Sequence, residues 1–128
     1  VVGRGHGWWV RRRPLPLTDL VASTIVLPAP GSGTRDVVVA ALGEERMIGA
    51  DIVEVANSSS ARLAALAGVG VAFLPRCWAD DAIAAGTLRP VRLDAEAITK
   101  PVRVVWRGTR PATAAGRRLV DQLRTISD

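Results

Sequence analysis

The run Asn57-Ser58-Ser59-Ser60-Ala61-Arg62-Leu63-Ala64-Ala65-Leu66-Ala67-Gly68-Val69-Gly70-Val71-Ala72-Phe73-Leu74-Pro75 decides the fold class. Asn57 to Ser60 are residues whose side chains accept hydrogen bonds from the free amides of a helix start. Leu63, Leu66 and Ala67 then fall on one helical face, and Gly68 ends the helix in the left-handed conformation that glycine adopts without steric penalty. Val69 to Leu74 follows as a short apolar strand closed by Pro75, which cannot donate to a ladder.

The same alternation continues on both sides. Upstream, Asp51 to Val55 reads as a strand. Before it, the turn residues Pro30-Gly31-Ser32-Gly33-Thr34 feed a helix over Arg35 to Glu45 with Val38, Ala41 and Leu42 at helical spacing. Ser23 to Leu27, β-branched and apolar and closed by Pro28, suits a strand buried on both faces. Pro14-Leu15-Pro16-Leu17 is extended by the steric demand of each proline on its predecessor, and Thr18 is expected to cap a short turn through Leu20. Residues 4–13, rich in Gly, Trp and Arg, have no period and read as a loop after the strand end Val1 to Gly3.

Downstream, Cys77 to Ala85 reads as a helix ended by Gly86, with Cys77 a small core residue beside Trp78. Leu88 to Leu93 is a strand interrupted by Pro90, hence an edge or a break. Val102 to Arg107 is strand-like and would bury Trp106. Pro111 then opens a helix whose apolar stripe is Ala115, Leu119, Leu123 and Ile126, with Arg117, Arg118, Asp121, Gln122 and Arg124 opposite. Strand and helix alternate with short connections, which implies an α/β fold: a parallel-rich sheet with helices on both faces, because parallel neighbours need crossovers.

Composition narrows the function classes. With 128 residues, 48% hydrophobic and 23% charged, the chain has room for at most one core or two small lobes and is neither disordered, collagenous nor a coiled coil. No apolar run approaches the ~20 residues that span a bilayer. Val1-Val2-Gly3 begins without methionine and without a signal-peptide pattern, and is expected to continue a longer chain. One cysteine and one histidine exclude an internal disulfide, a thiolate zinc cage and any site built on two imidazoles.

The net charge of +5 is unevenly placed. Residues 1–13 carry four arginines and no acid, residues 14–100 seven bases against ten acids, and residues 101–128 six bases against two acids. The body is mildly acidic and both ends are basic. These ends are short and lack a recognition helix, so direct DNA binding is not expected of this chain.

Two polar helix starts, Gly31 to Arg35 and Asn57 to Ser60, carry the functional expectation. A helix start offers unpaired amides and about half a positive charge, which suits a carboxylate or phosphate. Following neighbouring strands, the two are expected to converge on one crevice. Each could equally do no more than cap its own helix. The glycines do not form a dinucleotide fingerprint or a P-loop. Ser32 and Ser59 have no neighbouring base, and Glu44-Glu45 and Asp80-Asp81 point apart on helices. Catalysis, a metal and a cofactor are therefore not expected. Trp8-Trp9 beside Arg11-Arg12-Arg13 leaves open stacking on bases, a membrane interface, or cover for a hydrophobic edge.

The order of these features resembles the effector-sensing domain of LysR-type transcriptional regulators, which has the type 2 periplasmic binding protein fold. The resemblance rests on Pro14-Leu15-Pro16-Leu17-Thr18-Asp19-Leu20, on Ile25-Val26-Leu27-Pro28 with Pro30 to Arg35, on Val53-Glu54 followed by Asn57-Ser58, and on Leu63 to Pro75. It continues through Ala85-Gly86-Thr87-Leu88, Val102 to Arg107 and Pro111 to Leu123. His6-Gly7-Trp8-Trp9 departs from the His-Pro-Leu common in the family.

The resemblance implies one lobe of a two-lobed sensor: 1–13 a crossing-strand end and the loop after it, 14–100 the second lobe, and 101–128 a crossing strand and C-terminal helix returning to a first lobe outside the chain. It implies effector contacts at Ser32, Gly33, Thr34, Asn57, Ser58, Phe73 and Pro75. It also implies a small organic acid as effector, DNA bound only through a separate head, a homo-oligomer and a cytoplasmic location. The alternative is a lobe of an extracytoplasmic solute-binding protein feeding a transporter. An enzyme on this fold would need an acid–base pair that the sequence lacks.

Overall fold

Strand β2 (Ile25–Pro28) is buried at all four positions, as an apolar strand covered on both faces must be. The structure, a computed structural model, describes residues 1–127. β2 lies between β3 (Ile52–Val55) and β4 (Val71–Ala72) and is parallel to both, with Ile25 opposite Ile52 on one side and Val71 on the other. Parallel neighbours require crossovers. Helix α2 (Gly33–Leu42) and the short α3 (Glu44–Met47) join β2 to β3, and α4 (Ser58–Leu66) joins β3 to β4.

The first crossover moves one way along the sheet and the second returns across β2. Right-handed connections in opposite directions put their helices on opposite faces. The packing agrees: Ile25 and Leu27 lie with Val38 and Leu42 of α2, whereas Val26 lies with Ala61, Ala65 and Ala72.

Strand β1 (Val2–Gly3) pairs antiparallel with β5 (Leu88–Arg89). Val1 N donates to the Ala72 carbonyl at 2.7 Å and Ala72 N donates to the Val1 carbonyl at 2.9 Å, the reciprocal pair of antiparallel neighbours. This pair joins the edge of the three-stranded parallel sheet, in the order β3-β2-β4, to the two-stranded antiparallel sheet of β1 and β5. A 3₁₀ turn (Arg76–Trp78) and α5 (Asp80–Ala84) connect β4 to β5.

Several sequence expectations are corrected. The first helix, α1 (Leu17–Val21), has Pro16 at its N-cap and no side-chain cap, so Thr18 lies inside the helix. Proline's fixed φ starts the helix without a capping oxygen. α2 begins at Gly33, earlier than Arg35, and ends at Leu42 because Gly43 has φ +88°, which separates it from α3. On α4 the face turned to the sheet is Ala61 and Ala65, while Leu63 is 64% exposed. The close approach explains the choice: a Cβ on Gly3 would run into the carbonyl oxygen of Ala65, so no leucine fits between helix and sheet.

The expected helix from Cys77 is the 3₁₀ turn followed by α5, and Cys77 is exposed. So short a turn presents no continuous stripe to bury. The strand expected over Leu88 to Leu93 stops at Arg89 ahead of Pro90, with one isolated parallel bridge from Leu93 to Leu15. Val102 to Arg107 forms no strand; no neighbour among the described residues pairs with it, Val105 is 87% exposed, and Trp106 lies outside the core.

The last helix, α6 (Ala114–Ser127), starts after Thr113, whose hydroxyl accepts from Gly116 N at 3.1 Å. Its stripe residue Leu119 is half exposed, and the Ile126 side chain lies outside the described residues. Trp8 and Trp9 pack against the cluster of Leu15, Leu20 and Ile25, so they cover a hydrophobic edge.

Candidate functional site

The C-terminal end of β2 turns directly into α2. The Ser32 hydroxyl accepts from Thr34 N at 3.3 Å and caps the helix. Arg35 fixes this corner: its guanidinium donates to the Pro28 carbonyl at 3.1 Å and to the Glu54 carboxylate at 2.8 Å, tying the helix start to β2 and β3. Thr34 is a buried polar residue, and its hydroxyl accepts from Lys100 Nζ at 3.2 Å. The Lys100 stem lies over Gly33, where an added Cβ would stand 3.2 Å from Lys100 Cε.

A cleft of about 340 Å³ opens beside this contact. Thr34, Val37 and Val38 of α2 form one wall, Phe73, Leu74 and Pro75 after β4 form the other, and Arg76, Ile98 and Lys100 close the rim. Apolar walls with a polar end suit a small organic anion. The positive groups there are the amide end of α2, the Lys100 ammonium and the Arg76 guanidinium. Lys100 has no carboxylate partner among the described residues, whereas Arg76 reaches Asp80 at 3.3 Å from a largely exposed side chain.

The cleft gathers Thr34, Phe73 and Pro75 from the sequence candidates, with Ser32 and Gly33 acting on it through the cap and the Lys100 stem. It does not gather Asn57 and Ser58. The Asn57 side chain accepts from Ser60 N at 3.0 Å and from the Ser60 hydroxyl at 3.3 Å, as an N-cap of α4 on the other face of the sheet. Both helix starts lie at the carboxyl edge of the strands, but the expectation of one shared groove fails because successive crossovers run in opposite directions. Lys100 and Arg76 were missing from the sequence candidates. Lys100 was visible only as the single lysine among sixteen arginines; nothing local in sequence ties it to Thr34.

The LysR substrate binding domain family matches residues 1–127. This chain belongs to that family. Over 132 aligned positions the domain is 33% identical to HTH-type transcriptional regulators of Mycobacterium tuberculosis and Mycobacterium bovis, matches that cover 99% of this chain and 42% of each regulator. The domain thus spans less than half the length of these relatives. It is also 33% identical over 116 positions to the phosphonates import ATP-binding protein PhnC of Anaeromyxobacter dehalogenans, covering 87% of this chain and 23% of that protein. Its mixed α/β architecture, with a parallel three-strand core and helices on both faces, is consistent with one lobe of a LysR substrate-binding domain. Among the described residues no helix is long and apolar enough to cross a membrane.

Proposed function

We propose that this domain is part of the effector-sensing region of a DNA-binding transcriptional regulator, and that its cleft holds a small organic acid. The carrying observation is the Lys100 ammonium hydrogen-bonded to the buried Thr34 hydroxyl over the start of α2. A carboxylate in the cleft meets a helix amide end and a positioned cation against apolar walls. Thr34, Phe73, Pro75, Lys100 and Arg76 contact the effector, Ser32 and Gly33 shape the helix start, and Asn57 and Ser58 stay outside this cleft.

The rest of the reading concerns the regulator as a whole. DNA is bound by a head outside these residues, in a cytoplasmic homo-oligomer. Residues 101–128 cross to a further lobe, which covers the exposed Val102, Val105 and Leu119. Effector binding between the lobes favours one closure angle, and the shift in population repositions the heads. The protein acts by sensing and not by catalysis, and the family match to transcriptional regulators favours this over a transport lobe.

The test is a thermal-shift and calorimetric screen of small mono- and dicarboxylates against the two-lobed regulator. A ligand that binds is expected to raise the melting temperature in proportion to RT ln(1 + [L]/Kd), and Lys100→Met is expected to weaken it at least about tenfold. A binding carboxylate whose affinity is indifferent to Lys100→Met would remove the cleft from the proposal.

A further inference from the structure

A second hollow, of about 330 Å³, shares no lining residue with the effector cleft and is lined by Arg11, Arg12, Arg13, Arg89 and Arg92. The fold brings these together from distant parts of the chain. β1 pairs with β5, which sets Arg89 at the sheet edge opposite Val2. The loop leaving β1 then returns so that Leu15 N donates to the Arg92 carbonyl at 2.8 Å and Asp94 N donates to the Leu15 carbonyl at 2.8 Å. This pairing fixes residues 11–14 against residues 89–92. Arg11 folds over its own turn, donating to the Arg13 and Pro14 carbonyls at 3.2 Å each.

The charge in this hollow is almost uncompensated. No acid lines it, and the carboxylate in range is Asp19, 4.0 Å from Arg11 and half exposed. Arg12, Arg13, Arg89 and Arg92 have no side-chain hydrogen bond or ion pair among the described residues. Unneutralised guanidiniums around one concavity repel one another, and a multivalent anion relieves that repulsion while matching their forked donors. Arg35, Arg62 and Arg76, outside the hollow, each pair with a carboxylate.

We infer that this hollow is a second binding site, for a soluble anion carrying two or more linked phosphate groups, separate from the carboxylate cleft. Its size and concavity suit a small molecule; a duplex would need an extended stripe of charge. Base stacking has no platform here, because Trp8 and Trp9 are packed against the core and Arg4 sits over the Trp9 ring at 5.9 Å.

The probe is inorganic tripolyphosphate, titrated calorimetrically into the purified chain at fixed ionic strength, with orthophosphate and a 20-base-pair duplex as comparison arms. One tripolyphosphate is expected to bind per chain, at least tenfold more tightly than orthophosphate. Arg12→Gln with Arg92→Gln, both at exposed positions, is expected to weaken it at least tenfold. Arg117→Gln with Arg118→Gln, which removes the same charge from α6, and Thr34→Val in the cleft are expected to leave it within twofold. Circular dichroism verifies that each variant is folded. The inference is overturned by no binding, by equal losses in the two double variants, which would mean net charge alone, or by duplex binding tighter than tripolyphosphate and equally dependent on Arg12 and Arg92.

Discussion

Replacing Thr34 by valine removes one hydroxyl and keeps the shape of the side chain, so it isolates the contact with Lys100. Thr34 is 7% exposed, which means the added methyl meets protein and opens no cavity. The lost hydrogen bond involves a charged donor, a class that contributes roughly 1.5–3 kcal/mol when desolvated. Lys100 is exposed and recovers the bond from water, so the stability change is expected to stay below about 1 kcal/mol, or within roughly 4 °C of melting temperature.

The effect on the ligand is larger, because the ammonium then has to be oriented from solvent each time an anion binds. A loss near 1.4 kcal/mol, about tenfold in Kd, is expected. Lys100→Met removes the charge itself, and the double variant should bind no worse than Lys100→Met alone, since Thr34 acts through Lys100. Calorimetry with a carboxylate found to bind the two-lobed regulator measures all four corners of this cycle. Additive losses, or unchanged affinity in Thr34→Val, would refute the positioning argument.

Leu27→Ala, at a fully buried position of β2, is expected to cost roughly 2–5 kcal/mol in urea unfolding, whereas Leu63→Ala, at a 64% exposed position, should cost under about 1 kcal/mol. His6 has its pKa held below the usual 6.5 by partial burial. Trp8 N donates to His6 Nδ1 at 3.1 Å, a bond that the neutral ring accepts. The folded state therefore binds fewer protons than the unfolded chain, and this part of the stability is lost as pH falls through about 6.5 toward the folded value. The His6 Cε1 proton is expected to titrate below the midpoint seen in denaturant; a higher midpoint would contradict the sign. Exposed Cys77 is expected to react stoichiometrically with Ellman's reagent without denaturant, and a thiol that reacts only after unfolding would restore the core placement that the structure rejects.

The elements that could be read from sequence are those whose signals are local. Asn57 to Gly68 holds its cap, its helix and its stop within one stretch, and Ile25 to Pro28 shows its double burial in four apolar residues. Reading fails where a partner decides. Val102 to Arg107 has strand composition but no neighbouring strand among the described residues, and apolar spacing on α4 pointed to Leu63 although the close contact with β1 admits only alanine. The candidate site divides the same way. Ser32 to Thr34 follows from turn and cap chemistry, while Lys100 lies 66 positions from Thr34 and joins it only through the fold. The shared groove expected for Asn57 failed on handedness, which no residue in that motif encodes.

The register of β2 also acts as a ruler for the cleft. Ile25 and Leu27 serve one layer and Val26 the other, so sliding the strand by a single residue would exchange the two layers. The same slip would carry Pro28, and Ser32 to Thr34 behind it, roughly 3.3 Å along the sheet. That displacement exceeds what a hydrogen bond tolerates. The 3.2 Å separation between Thr34 and Lys100 therefore inherits its accuracy from the apolar alternation of the central strand, and a mistake in core packing would be felt first as a misaligned cation.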